Sequence, residues 1–142
     1  MESTHLAFDL GASSCRAILG TLDSGHMYME DVHRFSTPIR KIGDRFTWDV
    51  EAIWTELYTG YESARHRAPG LASLSVDSWG TDYVPLDRSG SIVREPYCYR
   101  DSRTNGMMKR VFMEVPEREL YNLTGIQRLE LNTIYQAFAD PI

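Results

Sequence analysis

Two short turns carry the residues of this chain that are best suited to chemistry. The first spans residues 9–16 and reads DLGASSCR, and the second spans residues 76–80 and reads VDSWG. Each follows a short apolar run, which predicts a buried strand with a carboxylate at its exit. A carboxylate can face a hydrated cation, while the backbone amides of a small-residue turn donate to phosphate oxygens. The first turn therefore has the residue types of a metal–phosphate site.

An ordinary hairpin connection explains the first turn about equally well, because Asp and Ser also bond their own backbone in turns. In favour of a ligand, the small residues from Gly11 to Ser14 allow close approach to the main chain. Arg16 adds a planar cation suited to phosphate or carboxylate. The chain contains neither a GxxxxGK[ST] loop nor a GxGxxG fingerprint, which excludes a P-loop and a Rossmann site.

Composition narrows the class of protein. A chain of 142 residues with 42% hydrophobic residues is predicted to form one domain with a real core. A net charge of −5 argues against nucleic acid or an anionic membrane as the main partner. The lack of a long apolar stretch or a signal-like start predicts a soluble, cytoplasmic protein. The two cysteines are far apart in the sequence, which favours free thiols. No two of the four histidines have helical spacing, which argues against a zinc site.

The first half of the chain predicts a meander followed by a helix. Strands are expected at residues 5–9, 16–21 and 27–35, with a hairpin turn at 23–25 and a loop over 38–47. Asp49 has the side chain of an N-cap, and the helix that it begins is expected to end near Arg67, before Pro69-Gly70.

The second half predicts further strands and then helices. Strands are expected at 71–76, 83–86 and 91–93, and helices at 103–115, at 116–123 with Gly125 as its end, and from about 132. A meander, a helix and a further strand together predict the α/β class, with a mixed β-sheet flanked by helices. The chain stops soon after its last helix is expected to begin, which fits a domain cut from a longer protein and equally a natural terminus.

Six motifs occur in one order along the chain. They are DLGASS at 9–14, TWD at 47–49, VDSWGTDY at 76–83, YRDSRTNG at 99–106, TGIQ at 124–127 and NTIYQ at 132–136. Together they resemble the amino-terminal domain of the FGGY family of carbohydrate kinases, most of all its rhamnulokinase branch. The resemblance covers nearly the whole chain. It implies an actin-like (ribonuclease H-like) ATPase fold, with residues 1–142 as the N-terminal half of a two-domain kinase.

The resemblance also assigns roles to the first turn. It implies that the nucleotide phosphates contact residues of the turn itself, namely Gly11, Ala12, Ser13, Ser14, Cys15 and Arg16. Asp9 would help to organise Mg²⁺ and its waters. Cys15 stands where a glycine is expected in a rhamnulokinase, and a positive φ there would strain the backbone by about 1–2 kcal/mol.

The second turn would face the sugar. The resemblance places Gly80 against the ketose, and Asn132 at a substrate-facing position. Asp77 has the chemistry to accept hydrogen bonds from sugar hydroxyls, and Trp79 to offer an apolar face. A satisfied strand-end Asp and a core Trp explain those two residues equally well. The segment 100–103 is expected to hold its loop in shape through a local ion pair.

The implied reaction is transfer of the γ-phosphoryl group of ATP to the 1-hydroxyl of L-rhamnulose, with Mg²⁺, in L-rhamnose catabolism. The family's catalytic base is an aspartate of the C-terminal domain, so no catalytic residue is assigned and these residues alone are predicted to be inactive. The alternative function is that of a non-catalytic sugar- or phosphate-binding module. A third hypothesis is an ATP-dependent chaperone or filament subunit of the same clan. The motifs fit L-rhamnulose and L-fuculose equally well as the ketose. They do not specify an oligomeric state, but exposed apolar surface would favour self-association.

Overall fold

The structure, a computed structural model, describes residues 2–140 and divides them into two compact units. Unit 1 comprises residues up to 38 together with 49–80, and unit 2 comprises 39–48 together with the residues from 81 onward. The strands are β1 (Ser3–Leu10), β2 (Ser14–Asp23), β3 (His26–Ser36), β4 (Ile39–Ile42), β5 (Arg45–Trp48) and β6 (Leu71–Ser78). The helices are α1 (Val50–Arg67), α2 (Met107–Glu114), α3 (Glu117–Thr124) and α4 (Thr133–Ala139), with a short 3-10 turn at Ser102–Thr104.

Unit 1 is a mixed four-stranded sheet with α1 against one face. Its strand order is β3-β2-β1-β6. The first three strands are antiparallel neighbours, as the meander predicts, and β6 pairs parallel with β1 after the crossover through α1. The parallel crossover brings the ends of β1 and β6 to the same edge of the sheet, so the two turns that follow these strands begin there.

The core of unit 1 follows from strand alternation and one helical glycine. Leu6, Phe8 and Leu10 alternate along β1 and are buried against α1, while their neighbours turn to the other face. A Cβ added at Gly60 of α1 would lie 2.9 Å from the Cβ of Ala17 and 3.0 Å from Cε1 of Phe8. Glycine therefore lets the helix lie close to the sheet. The predicted cap of α1 is confirmed, because the Asp49 carboxylate accepts from the Ala52 N–H at 3.0 Å.

Four of the predicted elements differ from the structure, each because of a local turn. The expected loop at 38–47 contains the β4–β5 hairpin, which turns through Gly43 at a φ of +59°. The expected strands at 83–86 and 91–93 reduce to one bridge, since the Asp87 carboxylate accepts the backbone N–H of Ser89 and Ser91. The expected helix at 103–115 begins only at Met107, after Gly106 at a φ of +77°.

Unit 2 has its own buried centre. Trp48, Cys98, Val111 and Tyr135 are buried there, and Phe112 meets the ring of Tyr135 edge-on at 6.3 Å. The predicted end of α3 is confirmed, because Gly125 closes that helix with a φ of +64°. Nowhere between residues 2 and 140 does a helix combine the length and apolar character needed to span a membrane.

Candidate functional site

The first turn is closed by its own main chain. The Gly11 N–H donates to the Ser14 carbonyl at 3.1 Å, which joins the end of β1 to the start of β2. A Cβ at Gly11 would lie 2.7 Å from that same Ser14 oxygen. No real side chain tolerates such a contact with a backbone atom, so the turn requires glycine at this position.

Thr37 supports the turn from the end of β3, and the sequence interpretation missed it. Its Oγ1 donates to the Gly11 carbonyl at 2.5 Å, and its backbone N–H donates to the Ser13 carbonyl at 3.2 Å. Thr37 is buried. The hairpin at 23–25 could have revealed this contact. It makes β3 run antiparallel to β2, so the residues that follow β3 must lie beside the β1–β2 turn.

Three charged residues form one row across the sheet, on the face away from the core. In the strand register Asp9 of β1 stands opposite Arg16 of β2 and beside Asp77 of β6. The Arg16 guanidinium donates to the Asp9 carboxylate and forms an ion pair with it. This hydrogen bond raises the pKa of Arg16. The structure thus brings together Asp9, Arg16 and Asp77, which sequence reasoning had divided between phosphate and sugar.

The carboxylates of this row suit a magnesium–phosphate ligand. Protein-bound Mg²⁺ keeps several waters and takes one or two carboxylates together with phosphate oxygens. Asp9 and Asp77, in register on adjacent strands, offer that donor set at the edge where the turn begins. Within residues 2–140 the structure has no group of three or more His, Cys, Asp or Glu residues that would hold a metal by itself. The residues therefore fit a cation that shares its coordination with phosphate and water.

The side chain of Cys15 faces the core of unit 1. Its side chain is fully buried, and its Sγ lies 3.2 Å from Oγ1 of Thr37. Burial raises the pKa of this thiol. The strain considered for Cys15 does not arise, because its φ is not positive. Among the described residues, Ser24 is the only non-glycine residue with a positive φ. Any contact between Cys15 and a phosphate would be made by its main chain.

The second turn holds a glycine that the fold does not require. A Cβ at Gly80 would meet no atom within 4 Å, and its φ lies outside the positive region. Trp79, by contrast, is partly buried and packs against the core of unit 1, so its ring has a structural role. Asp77 is exposed at the end of β6. Open space and a missing side chain at Gly80 are what close approach of a ligand to the backbone would need.

Asn132 stands at the N-terminus of α4 in unit 2. Its Nδ2 donates to the Gln127 carbonyl at 2.7 Å and closes the loop that leads into the helix. The side chain makes no capping hydrogen bond to α4, so its role at this position differs from that of an ordinary N-cap. Its amide nitrogen is thus engaged in holding the loop.

A partly buried polar network in unit 2 also escaped sequence reasoning. The Asp82 carboxylate accepts from Trp48 Nε1 at 2.5 Å, from the Tyr99 N–H at 3.2 Å and from Gln136 Nε2 at 2.7 Å. Gln136 is fully buried, and its Oε1 accepts from Arg103 Nη2 at 2.7 Å. The network joins the loop that contains Asp82 to the first turn of α4.

The ion pair expected in the segment 100–103 is present and structural. The buried Asp101 carboxylate accepts from the backbone N–H groups of Phe46 at 2.8 Å and Arg103 at 2.9 Å. The Arg103 guanidinium lies 4.3 Å from the centre of the Tyr97 ring and 4.0 Å from Asp101. These contacts hold the loop to the β4–β5 hairpin.

The chain is similar in sequence to kinases from several bacteria. The chain is 36% identical to the rhamnulokinase of Bacteroides thetaiotaomicron over 96% of its length, and 40% identical to that of Oceanobacillus iheyensis over 96%. It is 41% identical to the rhamnulokinase of Pectobacterium atrosepticum over 92%. The chain spans only 27–29% of the length of these relatives.

Solved structures show the same fold at low identity. The gluconate kinase of Lactobacillus acidophilus matches 98% of this chain, and 28% of its own, with a TM-score of 0.81 at 13% identity. The xylulose kinase of the same organism matches 96% of this chain, and 28% of its own, with a TM-score of 0.79 at 14% identity. These matches confirm the fold that the sequence resemblance implied, that of the amino-terminal domain of an actin-like sugar kinase. Residues 4–137 match the family model described as "FGGY family of carbohydrate kinases, N-terminal domain", and the chain belongs to that family.

Proposed function

We propose that this chain is the amino-terminal domain of an ATP-dependent ketose kinase that phosphorylates the 1-hydroxyl of L-rhamnulose. Membership of the carbohydrate kinase family supports the reaction class, and 36–41% identity to three rhamnulokinases supports the sugar. The observation that carries the proposal is the turn at Gly11, whose glycine is required and whose flanking strand ends in Asp9. A backbone-closed turn beside a carboxylate suits a transfer that depends on positioning and charge neutralisation.

The first turn then binds the nucleotide phosphates. Small side chains from Ala12 to Ser14 leave the main chain accessible, while Arg16 supplies positive charge that is shared with Asp9. When bound, Mg²⁺ neutralises charge on the phosphate oxygens. Asp9, with Asp77 beside it, would hold that hydrated ion. Because the Cys15 side chain is buried, only the main chain of Cys15 would contact the phosphates.

The sugar is assigned to the second turn, in unit 1. At Gly80 a ketose hydroxyl has room to approach the backbone, because nothing in the fold fills the place of a side chain. In unit 2, Asn132 keeps the substrate-facing role that the family resemblance implies, with its Nδ2 engaged by the Gln127 carbonyl. The partly buried Trp79 ring would offer its apolar surface to the sugar methyl group.

The general base is expected outside these residues. A base must lie within hydrogen-bond reach of the hydroxyl that it deprotonates. Asp77 is assigned to the cation side because of its register with Asp9, which leaves no carboxylate of the second turn for this role. The chain covers about 28% of the rhamnulokinases, so a C-terminal domain with the base and the adenosine pocket is part of the proposal.

Release of ADP tests the proposed function. The product of the complete reading frame is assayed with MgATP and a panel of ketoses that includes L-rhamnulose and L-fuculose, with the 142-residue chain as control. We expect L-rhamnulose-dependent ADP release from the long form and none from the control. Turnover by the short chain would contradict the assignment of the base. Sugar binding without turnover by either form would support a non-catalytic binding module instead.

A further inference from the structure

Two carbonyl groups of the phosphate turn are used by one residue. The Gly11 carbonyl accepts the Thr37 hydroxyl at 2.5 Å, and the Ser13 carbonyl accepts the Thr37 backbone N–H at 3.2 Å. Both bonds come from the same side, because both donors belong to one buried residue at the end of β3. Thr37 thus binds the turn at two of its peptide groups.

Planarity of the peptide bond extends this contact to the amides. In a trans peptide the C=O of one residue and the N–H of the next point in opposite directions. The described chain has no cis peptide bonds. When Thr37 holds the Gly11 and Ser13 carbonyls toward itself, the N–H groups of Ala12 and Ser14 are turned away from it. Carbonyl dipoles that would repel an anion face the protein, and amide donors face the opposite side.

We propose that Thr37 is the positioning residue that turns the Ala12 and Ser14 amides toward the phosphates. The inference rests on the proposed function, because it deepens the role of the same turn. Thr37 does not touch the ligand itself. It acts through the two carbonyls, and its own geometry is restricted by Pro38, since a residue before proline is held in extended conformations.

The environment of Thr37 explains why a hydroxyl is needed there. The last register pair of β2 with β3 is Ser14 with Ser36, so Thr37 lies just beyond the ladder and beside the turn. Oγ1 donates its proton to the Gly11 carbonyl and lies 3.2 Å from Sγ of Cys15, and that thiol also donates to the Gly11 carbonyl at 3.7 Å. A valine would keep the shape of the side chain but would remove the hydroxyl donor from the partly buried Gly11 carbonyl, leaving it only the weak and longer contact with the Cys15 thiol at 3.7 Å.

Substitution at Thr37 separates the hydroxyl from the shape. The 142-residue chain and its Thr37→Val and Thr37→Ser variants are titrated with magnesium tripolyphosphate by calorimetry, and the backbone amides are followed by NMR. We expect about tenfold weaker binding for Thr37→Val, because loss of the hydroxyl bond to the partly buried Gly11 carbonyl is worth a factor of this order. Thr37→Ser should bind within threefold of the wild type. Thr21→Val, which removes a hydroxyl at the other end of β2, is the matched control and should bind as the wild type does.

The amide signals distinguish positioning from general loss of structure. Tripolyphosphate should shift the Ala12 and Ser14 amides in the wild type and in Thr37→Ser, but not in Thr37→Val. Equal affinity and equal shifts in wild type and Thr37→Val would overturn the role of Thr37 and leave the phosphate turn intact. A wild-type chain whose turn amides do not respond to tripolyphosphate would overturn both. If Thr37→Val does not fold, Thr37→Ala in the complete kinase replaces it, with a higher KM for MgATP and an unchanged KM for the ketose as the expected result.

Discussion

The glycine turn of unit 1 and the polar network of unit 2 are built in opposite ways. The turn is closed by backbone atoms, from Gly11 to Ser14, and its exposed side chains are small. The network is closed by side chains, with the Asp82 carboxylate between Trp48 and Gln136. The first should therefore tolerate changes of side chain but not an added Cβ at its glycine. The second should be sensitive to loss of a single functional group, since buried polar groups left without partners are costly.

Removal of the Asp82 carboxylate should have the largest effect. Asp82→Ala leaves the indole N–H of Trp48, the Tyr99 N–H and the Gln136 amide without this acceptor. We expect a loss of about 3–5 kcal/mol in the free energy of unfolding, as for other broken buried networks. Urea unfolding followed by circular dichroism measures it. Asp87→Ala, at an exposed turn of the same unit, should cost less than about 1 kcal/mol, and equal losses in the two variants would contradict the comparison.

An added methyl group should harm the glycine turn by a smaller amount. In Gly11→Ala the new Cβ would press on the Ser14 carbonyl, which lies at 2.7 Å, so the turn must open. We expect a loss of about 1–3 kcal/mol in the free energy of unfolding, together with loss of tripolyphosphate binding. Ser14→Ala, which keeps the backbone, should remain within about 0.5 kcal/mol of the wild type. If the two variants lose similar stability, side chains and not the main chain hold the turn.

The buried thiol behind the turn should make stability depend on alkaline pH. Burial raises the pKa of Cys15, so the folded state keeps its proton at a pH where the unfolded thiol releases it. The stabilising contribution is therefore complete below about pH 8.5 and decreases as pH rises through the folded pKa. Free energies of unfolding between pH 7 and 10 should decline more steeply in the wild type than in Cys15→Ala. Parallel curves for the two proteins would show that the thiol does not titrate in this way.

The second turn should show the smallest change in stability and a specific change in sugar affinity. Gly80→Ala places a methyl group in open space at a φ that is not positive, so unfolding should change by less than about 0.5 kcal/mol. In the complete kinase the same variant should raise the KM for the ketose about tenfold and leave the KM for MgATP unchanged. An unchanged KM for the ketose would remove Gly80 from the sugar site and sharpen the contrast with Gly11.

Sequence reasoning was most successful where a local signal decides the structure. The strand meander, the Asp49 cap and the end of α3 at Gly125 each depend on a few adjacent residues, and all three are confirmed. The β4–β5 hairpin was missed because its strands are short, and part of their support comes from a bridge between Thr47 and Tyr97. The start of α2 was misplaced because the positive φ of Gly106 interrupts the helical pattern.

The candidate site shows the same division. The residue types and spacing of 9–16 alone indicated a carboxylate followed by a turn open to phosphate, and the order of six motifs indicated the kinase family. Only the tertiary structure decided that Asp77 stands beside Asp9, that Cys15 faces the core, and that the third strand supports the turn at residue 37. The chemistry of a turn depends on residues that are adjacent in the sequence, so the sequence alone reveals it. Strand register and burial depend on contacts between residues that are distant in the chain, so they become visible only when the sheet is formed.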